Sequence, residues 1–239
     1  MDDSDPFAAP HNLPTAARPL LGLTILVVED SRYACEAMRL LCLRSGARIR
    51  RADCLRSAER HLQIYRPSVL IVDMGLPDGS GAELIEEQAN ASPRVGLILG
   101  MSGDDYAESI ALAAGADAFL AKPIHSLAAF QEAVLVRLPA DRQPMGPRVL
   151  VDETIRPDPL AYQDDMAHIV DLLADPSDRR VVDYAAQFLR GVARAAEDDA
   201  LAQAAHGLAR ACARGAPVLA ETARVAGLVQ DRLQHRRAI

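Results

Sequence analysis

The feature that most constrains the fold is a run of four bulky apolar residues, 69–72, that leads directly into a carboxylate, Asp73. A segment rich in Gly and Pro follows at once. Such a short apolar run is typical of a strand buried on both faces, as in a parallel sheet. Asp73 would then lie at the carboxyl end of the strand, where open α/β sheets bind ligands. Its carboxylate either takes part in chemistry or caps the next helix. The residues typical of a helix start begin only near Ser80, too far along the chain for Asp73 to be the cap, so a chemical role is favoured.

Similar patterns repeat on either side of this strand. The predicted strands are residues 24–28, 48–52, 69–73, 95–100 and 117–121, and the predicted helices are residues 32–44, 54–65, 80–89, 104–114 and 126–138. Strands that alternate with helices in this way are typical of a doubly wound α/β fold. We therefore predict a domain with a five-stranded parallel sheet over residues 21–139.

The remaining segments differ in composition from this domain. Residues 1–20 are rich in Asp and Pro and predict a disordered arm. Residues 140–159 contain several prolines and predict a linker with one short extended piece at 149–151. Residues 160–239 are Ala-rich and predict an all-α domain, either a helical bundle or an extended helical hairpin. Its predicted helices are residues 160–174, 178–195, 198–213 and 218–237.

Charge and composition exclude several classes of protein. The net charge of −7 argues against broad affinity for nucleic acids or membranes as the main activity. The four cysteines show no Cys-x-x-Cys spacing, so neither a zinc site nor a disulfide framework is indicated. No apolar run approaches the roughly 20 residues of a membrane span, and the acidic start lacks the basic character of a signal peptide. We expect a cytoplasmic protein that does not bind membranes.

Polar residues follow four of the five predicted strands. Glu29 and Asp30 follow the first, Asp73 ends the third, Ser102 follows the fourth and Lys122 follows the fifth. Lys122 is also the only lysine among 26 basic residues. Taken singly, the acids could be helix caps, the serine a turn residue and the lysine a solvated charge. Because parallel strands end at one edge of the sheet, we expect all five side chains to lie together.

Such a group of side chains has a coherent chemistry. Crowded carboxylates repel each other unless a hard cation lies between them, and Mg²⁺ prefers oxygen ligands. An aspartate beside a metal is a competent nucleophile towards phosphorus. The negative charge of a phosphoryl group in transfer would be met by the ion, by Lys122 and by the Ser102 hydroxyl.

The same residues carry a resemblance to a known family. Residues 21–139 resemble the receiver domain of bacterial two-component response regulators, a flavodoxin-like fold. The matching positions, in order, are the acidic pair Glu29-Asp30, the strand-end Asp73, Pro77, the turn Ser80-Gly81, the pair Ser102-Gly103, the aromatic Phe119 and Lys122-Pro123. Ser stands at 102 where Thr is the commoner residue, and Gly103 gives unusual access beside it.

The resemblance implies specific roles for these residues. Asp73 would accept a phosphoryl group from a histidine kinase or phosphotransfer protein, with no enzymatic activity beyond its own phosphorylation and slow hydrolysis of the aspartyl phosphate. Mg²⁺ would be held by Glu29, Asp30, Asp73 and the backbone carbonyl of Gly75. Ser102 and Phe119 would form the switch, and Lys122-Pro123 would be a cis peptide. Signalling would use the fourth helix, fifth strand and fifth helix.

The helical domain leaves three interpretations open. Small residues such as Ala202 and Ala205 allow close helix packing, as in an output module that forms a homodimer. The segment around His206 has features of a histidine-phosphotransfer domain, but Ala209 and Arg210 replace the usual Lys and Gly. A DNA-binding role is the third, because the last two helices carry clustered arginines, namely Arg210, Arg214, Arg224, Arg232, Arg236 and Arg237. No motif after residue 140 indicates an enzymatic output.

Overall fold

The computed structural model describes residues 13–104, 106–146, 153–174 and 178–234. The strands are β1 (Thr24–Val28), β2 (Arg48–Ala52), β3 (Val69–Asp73), β4 (Gly75–Leu76), β5 (Gly79–Ser80), β6 (Leu97–Ser102) and β7 (Ala118–Ala121). The helices are α1 (Arg32–Ser45), α2 (Leu55–Ile64), α3 (Gly81–Asn90), α4 (Ala107–Ala113), α5 (Leu127–Leu135), α6 (Pro159–Leu173), α7 (Arg179–Ala195), α8 (Asp199–Ala213) and α9 (Leu219–Gln234).

Five of the strands form one parallel sheet in the order β2-β1-β3-β6-β7. This confirms the predicted doubly wound α/β fold. Successive residues of each strand face opposite sides, so the sheet is covered on both faces. Ile25 and Val27 pack with residues of α1 and α5, whereas Leu26 and Val28 pack with residues of α2, α3 and α4. Because these five strands run parallel, their carboxyl ends meet at one edge of the sheet.

Some boundaries differ from the predicted ones for local polar reasons. Helix α4 begins at Ala107 rather than 104, because the Asp104 carboxylate accepts a hydrogen bond from the Tyr106 backbone N–H and forms a turn there. Strand β6 is shifted by two residues and includes Ser102. A small hairpin follows Asp73, formed by the two-residue strands β4 and β5. The sequence pattern does not predict it.

The expected disordered arm is ordered at its end. Its first twelve residues lie outside the described part of the chain, but Leu20 is fully buried beside α1, and its backbone N–H donates to the Ser45 carbonyl at 2.9 Å. The predicted extended piece at 149–151 also lies outside the described residues. The linker that follows it is attached to the sheet domain, since Thr154 pairs with Ser126 in an antiparallel bridge and Ile155 is buried.

Helices α6 to α9 form a four-helix bundle. Each packs against the next, and α9 packs against α6, around a core that includes Met166, Leu189, Leu208 and Val225. The bundle, rather than the extended hairpin, is the arrangement adopted. The expected all-α domain is therefore present, although the last residues of its predicted final helix, including Arg236 and Arg237, lie outside the described residues.

The bundle packs on the sheet domain through α6 and α7, which both contact α1. Asp165 of α6 is 1% exposed and lies at the N-terminus of α1. Its carboxylate accepts hydrogen bonds from the Ser31 hydroxyl at 2.7 Å and from the backbone N–H groups of Arg32 and Tyr33 at 2.8 and 3.1 Å. A carboxylate from one domain thus caps a helix of the other, where the helix dipole favours negative charge.

Replacement of Asp165 by alanine should loosen this joint. The buried donors at the start of α1 would lose their acceptor, at an expected cost of about 2 kcal/mol in the free energy of unfolding. Urea-induced unfolding measures the change. Asp164→Ala is the matched control, because Asp164 pairs with Arg32 at the surface and should contribute within about 0.5 kcal/mol. Equal effects of the two changes would contradict a special role for the buried carboxylate.

Candidate functional site

Asp73 lies where the buried strand β3 ends, and it is 7% exposed. Its Oδ2 accepts a hydrogen bond from Lys122 Nζ at 2.8 Å. Its Oδ1 faces the backbone N–H of Gly75 at 3.4 Å, on the first residue of β4. The side chain is thus held from both sides at the edge of the sheet, with its oxygens directed towards polar neighbours.

Lys122 joins two carboxylates of different strands. It follows β7, and its ammonium lies 2.8 Å from Asp73 Oδ2 and 2.5 Å from Glu29 Oε2. The contact with Glu29 is a close ion pair between two buried side chains. Glu29 is held by its other oxygen, which accepts from the Ser31 backbone N–H at 3.1 Å. The Lys122–Pro123 peptide is cis, as the resemblance implies.

Asp30 is bound by a residue of the helical bundle. The hydroxyl of Tyr184, in α7, donates a short hydrogen bond to Asp30 Oδ2. Sequence reasoning missed Tyr184, because the two residues are 154 positions apart and no motif connects them. The amphipathic pattern of α7 indicates which of its faces is buried, but it does not identify the partner.

Burial changes the proton affinities of this group. Burial and the charge of Asp73 raise the pKa of Asp30 to about 6, and burial, opposed by Lys122, raises the pKa of Glu29 well above its usual value. Burial alone would lower the pKa of Lys122, but the carboxylates of Asp73 and Glu29 raise it above its usual value. Burial and the Asp30 carboxylate raise the pKa of Tyr184, so its hydroxyl remains a hydrogen-bond donor.

The three acids fit a divalent cation. One oxygen from each of Glu29, Asp30 and Asp73 lies within 4.8 Å of the others. Crowded, largely buried carboxylate oxygens are the donors that Mg²⁺ prefers, and their mutual repulsion falls when a cation is present. Gly75, whose carbonyl the resemblance assigns as a fourth ligand, is exposed and lies two residues beyond Asp73, at the start of β4.

The two expected switch residues lie on neighbouring strands. Ser102 is the last residue of β6, and its hydroxyl accepts a hydrogen bond from the Asp104 backbone N–H at 3.1 Å. Phe119, in β7, is half-buried and lies opposite Gly100 in the strand pairing. A Cβ at Gly100 would lie 3.2 Å from the Phe119 ring and 2.5 Å from Ala111 Cβ. Glycine therefore gives the aromatic ring and α4 room at this point.

Helix α7 extends across the edge of the sheet above these residues. Arg190 pairs with Asp104 at 3.1 Å, and Arg194 donates to the Gly103 carbonyl at 2.9 Å. Between α7 and the sheet edge lies a cavity of about 440 Å³, lined by Asp73 and Lys122 on one side and by Tyr184 on the other. The bundle therefore covers the group of acids.

The other candidate residues lie in the bundle. His206 is exposed on α8 and does not line this cavity. Arg210, Arg214 and Arg224 are exposed, whereas Arg232 pairs with Asp198 at 2.8 Å. No helix among the described residues is long and apolar enough to cross a membrane.

Comparisons with known proteins match the sheet domain. The family model for the response regulator receiver domain matches residues 25–134. The KDP operon transcriptional regulatory protein KdpE of Escherichia coli K12 is 31% identical over 99 residues, 41% of this chain and 44% of KdpE. The virulence transcriptional regulatory protein PhoP of Salmonella typhimurium is 28% identical over 104 residues, 43% of this chain and 46% of PhoP.

Among solved structures, chemotaxis response regulator CheY4 of Vibrio cholerae is 24% identical, with a TM-score of 0.39 over 43% of this chain and 88% of CheY4. The chain matches less than half of the length of the curated relatives KdpE and PhoP. The family match ends at residue 134, before α6 begins.

Proposed function

Residues 25–134 belong to the receiver domains of two-component response regulators, and from this premise we propose that the chain is a phosphorylation-controlled response regulator. A histidine kinase or phosphotransfer protein would transfer a phosphoryl group to Asp73. The modified receiver would then change the packing of the helical bundle. The observation that carries the proposal is the strand-end Asp73 bound by Lys122 at 2.8 Å, beside two further carboxylates.

The transfer step follows from the side chains at this edge. A carboxylate oxygen of Asp73 forms a bond to phosphorus while the bond from phosphorus to the donor imidazole nitrogen breaks, and the imidazole leaves with the electron pair. The Lys122 ammonium neutralises charge on the phosphoryl oxygens, and the Ser102 hydroxyl can donate a hydrogen bond to one of them. Glu29, Asp30, Asp73 and the Gly75 carbonyl would hold Mg²⁺, whose charge reduces the repulsion between the carboxylate and the incoming phosphoryl group.

A route from the phosphoryl group to the bundle is also supported by contacts. The Ser102 hydroxyl accepts from the Asp104 N–H, and the Asp104 carboxylate pairs with Arg190 of α7. If Ser102 turns towards a phosphoryl group on Asp73, its bond to the Asp104 N–H is lost. The loop that holds Arg190 is then free to move, while Phe119 fills the space that Ser102 leaves. We propose this path for the switch.

The direct test supplies acetyl phosphate and Mg²⁺ to the full chain and measures its intact mass. We expect the gain of one phosphoryl group that is lost in base, as an acyl phosphate is. Hydrogen exchange of α7 on the same sample should become faster if the bundle is released. Light scattering tests the proposed homodimer. It compares the solution mass of the chain with and without beryllofluoride, a mimic of the phosphoryl group. Failure of the chain to gain mass from any phosphodonor would refute the proposal.

A histidine-phosphotransfer role is the alternative that the bundle supports, because four helices expose His206 on α8. Phosphohistidine is labile to acid but stable to base, whereas an aspartyl phosphate is hydrolysed in base, so the same mass experiment repeated after treatment with base separates the two. KdpE and PhoP are named as transcriptional regulators, but the family match does not extend to the bundle. A DNA-binding output therefore rests only on the exposed arginines.

Lys122→Arg tests the need for a compact cation. The planar guanidinium keeps the charge but cannot occupy the position between Asp73 and Glu29 that an ammonium fills. We expect the rate of phosphoryl uptake to fall about tenfold, which is the effect of losing roughly one charge-assisted hydrogen bond. The initial rate of mass gain measures it. An unchanged rate would mean that the single lysine of the chain has no special role.

A further inference from the structure

The bundle contributes one polar group directly to the receiver acids. Tyr184 of α7 donates its hydroxyl to Asp30 Oδ2, and its ring packs on Phe188 with the centroids 6.0 Å apart. The ring therefore packs on the bundle, while its hydroxyl reaches the receiver. Docking of α7 brings the hydroxyl to the carboxylate as a preformed donor.

This hydrogen bond lies between two cavities, because Asp30 and Tyr184 line both of them. On one side is the cavity of about 440 Å³ that contains Asp73 and Lys122. On the other side, a cavity of about 1230 Å³ extends between the receiver and α6. Its walls carry an excess of carboxylates, including Glu36, Asp53, Asp158 and Asp171. Their negative potential favours the approach of cations to Asp30.

A divalent cation bound to Asp30 would need the carboxylate oxygen and the adjacent space that Tyr184 occupies. Mg²⁺ requires a near-octahedral shell and retains several water molecules, so it needs both the carboxylate oxygen and free space around it. With α7 docked, Oδ2 is bound to the phenol and the aromatic ring fills adjacent space.

We propose that the Tyr184 hydroxyl and a divalent cation compete for Asp30. Docking of α7 lowers the affinity of the acidic site for the cation, and the cation in turn loosens α7. The two effects must be equal in size, because coupling between two binding events is reciprocal. This inference rests on the proposed function, since it takes the three acids as the metal site. It adds that the second domain controls whether the receiver is loaded with its metal.

The test is a titration of the full chain with Mn²⁺, which replaces Mg²⁺ and whose free ion is counted by electron paramagnetic resonance. Tyr184→Phe keeps the ring against Phe188 and removes only the hydroxyl. We expect it to bind Mn²⁺ about tenfold more tightly than the unaltered chain, the effect of one hydrogen bond to a charged group.

Tyr162→Phe is the matched control. Tyr162 is another bundle tyrosine whose hydroxyl donates to a carboxylate, that of Asp198 at 2.9 Å, but it does not contact the receiver acids. Its removal should leave Mn²⁺ affinity unchanged. Asp30→Asn should bind Mn²⁺ far more weakly and provides the baseline.

The outcomes separate the two proposals. If the unaltered chain and Tyr184→Phe bind Mn²⁺ equally and Asp30→Asn does not, the metal site stands and the competition is overturned. If none of the variants binds Mn²⁺, the proposed metal site is wrong, and the competition with it. As a second readout, Mg²⁺ should accelerate hydrogen exchange in α7 of the unaltered chain but not of Asp30→Asn. Equal exchange with and without Mg²⁺ in the unaltered chain would also contradict the competition.

Discussion

Asp73→Asn should abolish phosphoryl uptake from acetyl phosphate. The asparagine amide has nearly the same shape and can still accept a hydrogen bond from Lys122, but it is not a nucleophile towards phosphorus. The fold should therefore persist while the acceptor is lost. Intact mass after incubation measures the result, with one added phosphoryl group in the unaltered chain and none in the variant.

Asp78→Asn controls for the loss of one negative charge near the site. Asp78 lies five residues after Asp73, is exposed, and accepts hydrogen bonds from the backbone N–H groups of Leu55 and Arg56 at 2.8 and 3.1 Å. Uptake should remain intact in this variant. If Asp73→Asn still gained a phosphoryl group that is stable to base but labile to acid, the acceptor would instead be a histidine, with His206 the first to replace.

Gly81→Ala should be among the most destabilising single changes in the receiver. Gly81 begins α3, and a Cβ there would lie 2.0 Å from the Asp73 carbonyl oxygen and 2.9 Å from Val72 Cγ1. These atoms belong to buried residues of β3, so the backbone that carries Asp73 would have to move. Overpacking of this kind costs about 3 kcal/mol in the free energy of unfolding. Urea-induced unfolding followed by circular dichroism provides the measurement.

Gly75→Ala is the matched control in the segment that follows β3. A Cβ at Gly75 would meet no heavy atom within 4 Å, so the free energy of unfolding should change by less than about 0.5 kcal/mol. A similar stability for both variants would mean that the close approach of α3 to the Asp73 carbonyl relaxes without cost. A large loss in Gly81→Ala alone would show that β3 and α3 are packed as one rigid unit.

The sheet domain could be predicted because its signals are local. Apolar runs such as 69–72, followed by turn residues, predict buried parallel strands, and parallel strands bring their carboxyl ends to one edge. From that geometry alone, Glu29, Asp73 and Lys122 were expected to meet, and the structure brings them into contact. The start of α4 was not predicted correctly, because a side-chain bond from Asp104 competes with the helix.

The contacts between the domains could not be predicted in the same way. Asp165 and Tyr184 act on residues 134 and 154 positions away, respectively, and no periodicity in the sequence relates such distant segments. The helical pattern of α7 predicts that Val182, Ala185 and Leu189 are buried. It contains no information on whether the adjacent Tyr184 faces water, a dimer partner or the receiver.

The attachment of the linker determines how far a released bundle can travel. Ile155 is fixed to the receiver, since its backbone N–H donates to the His125 carbonyl at 2.8 Å, and α6 begins only four residues later at Pro159. A fully extended tether of that length spans about 14 Å. The bundle would therefore stay at an effective concentration in the millimolar range beside the receiver, as short tethers provide. A partner in solution at micromolar concentration competes poorly against such a neighbour, so a modification of the receiver itself is the more efficient way to open the site.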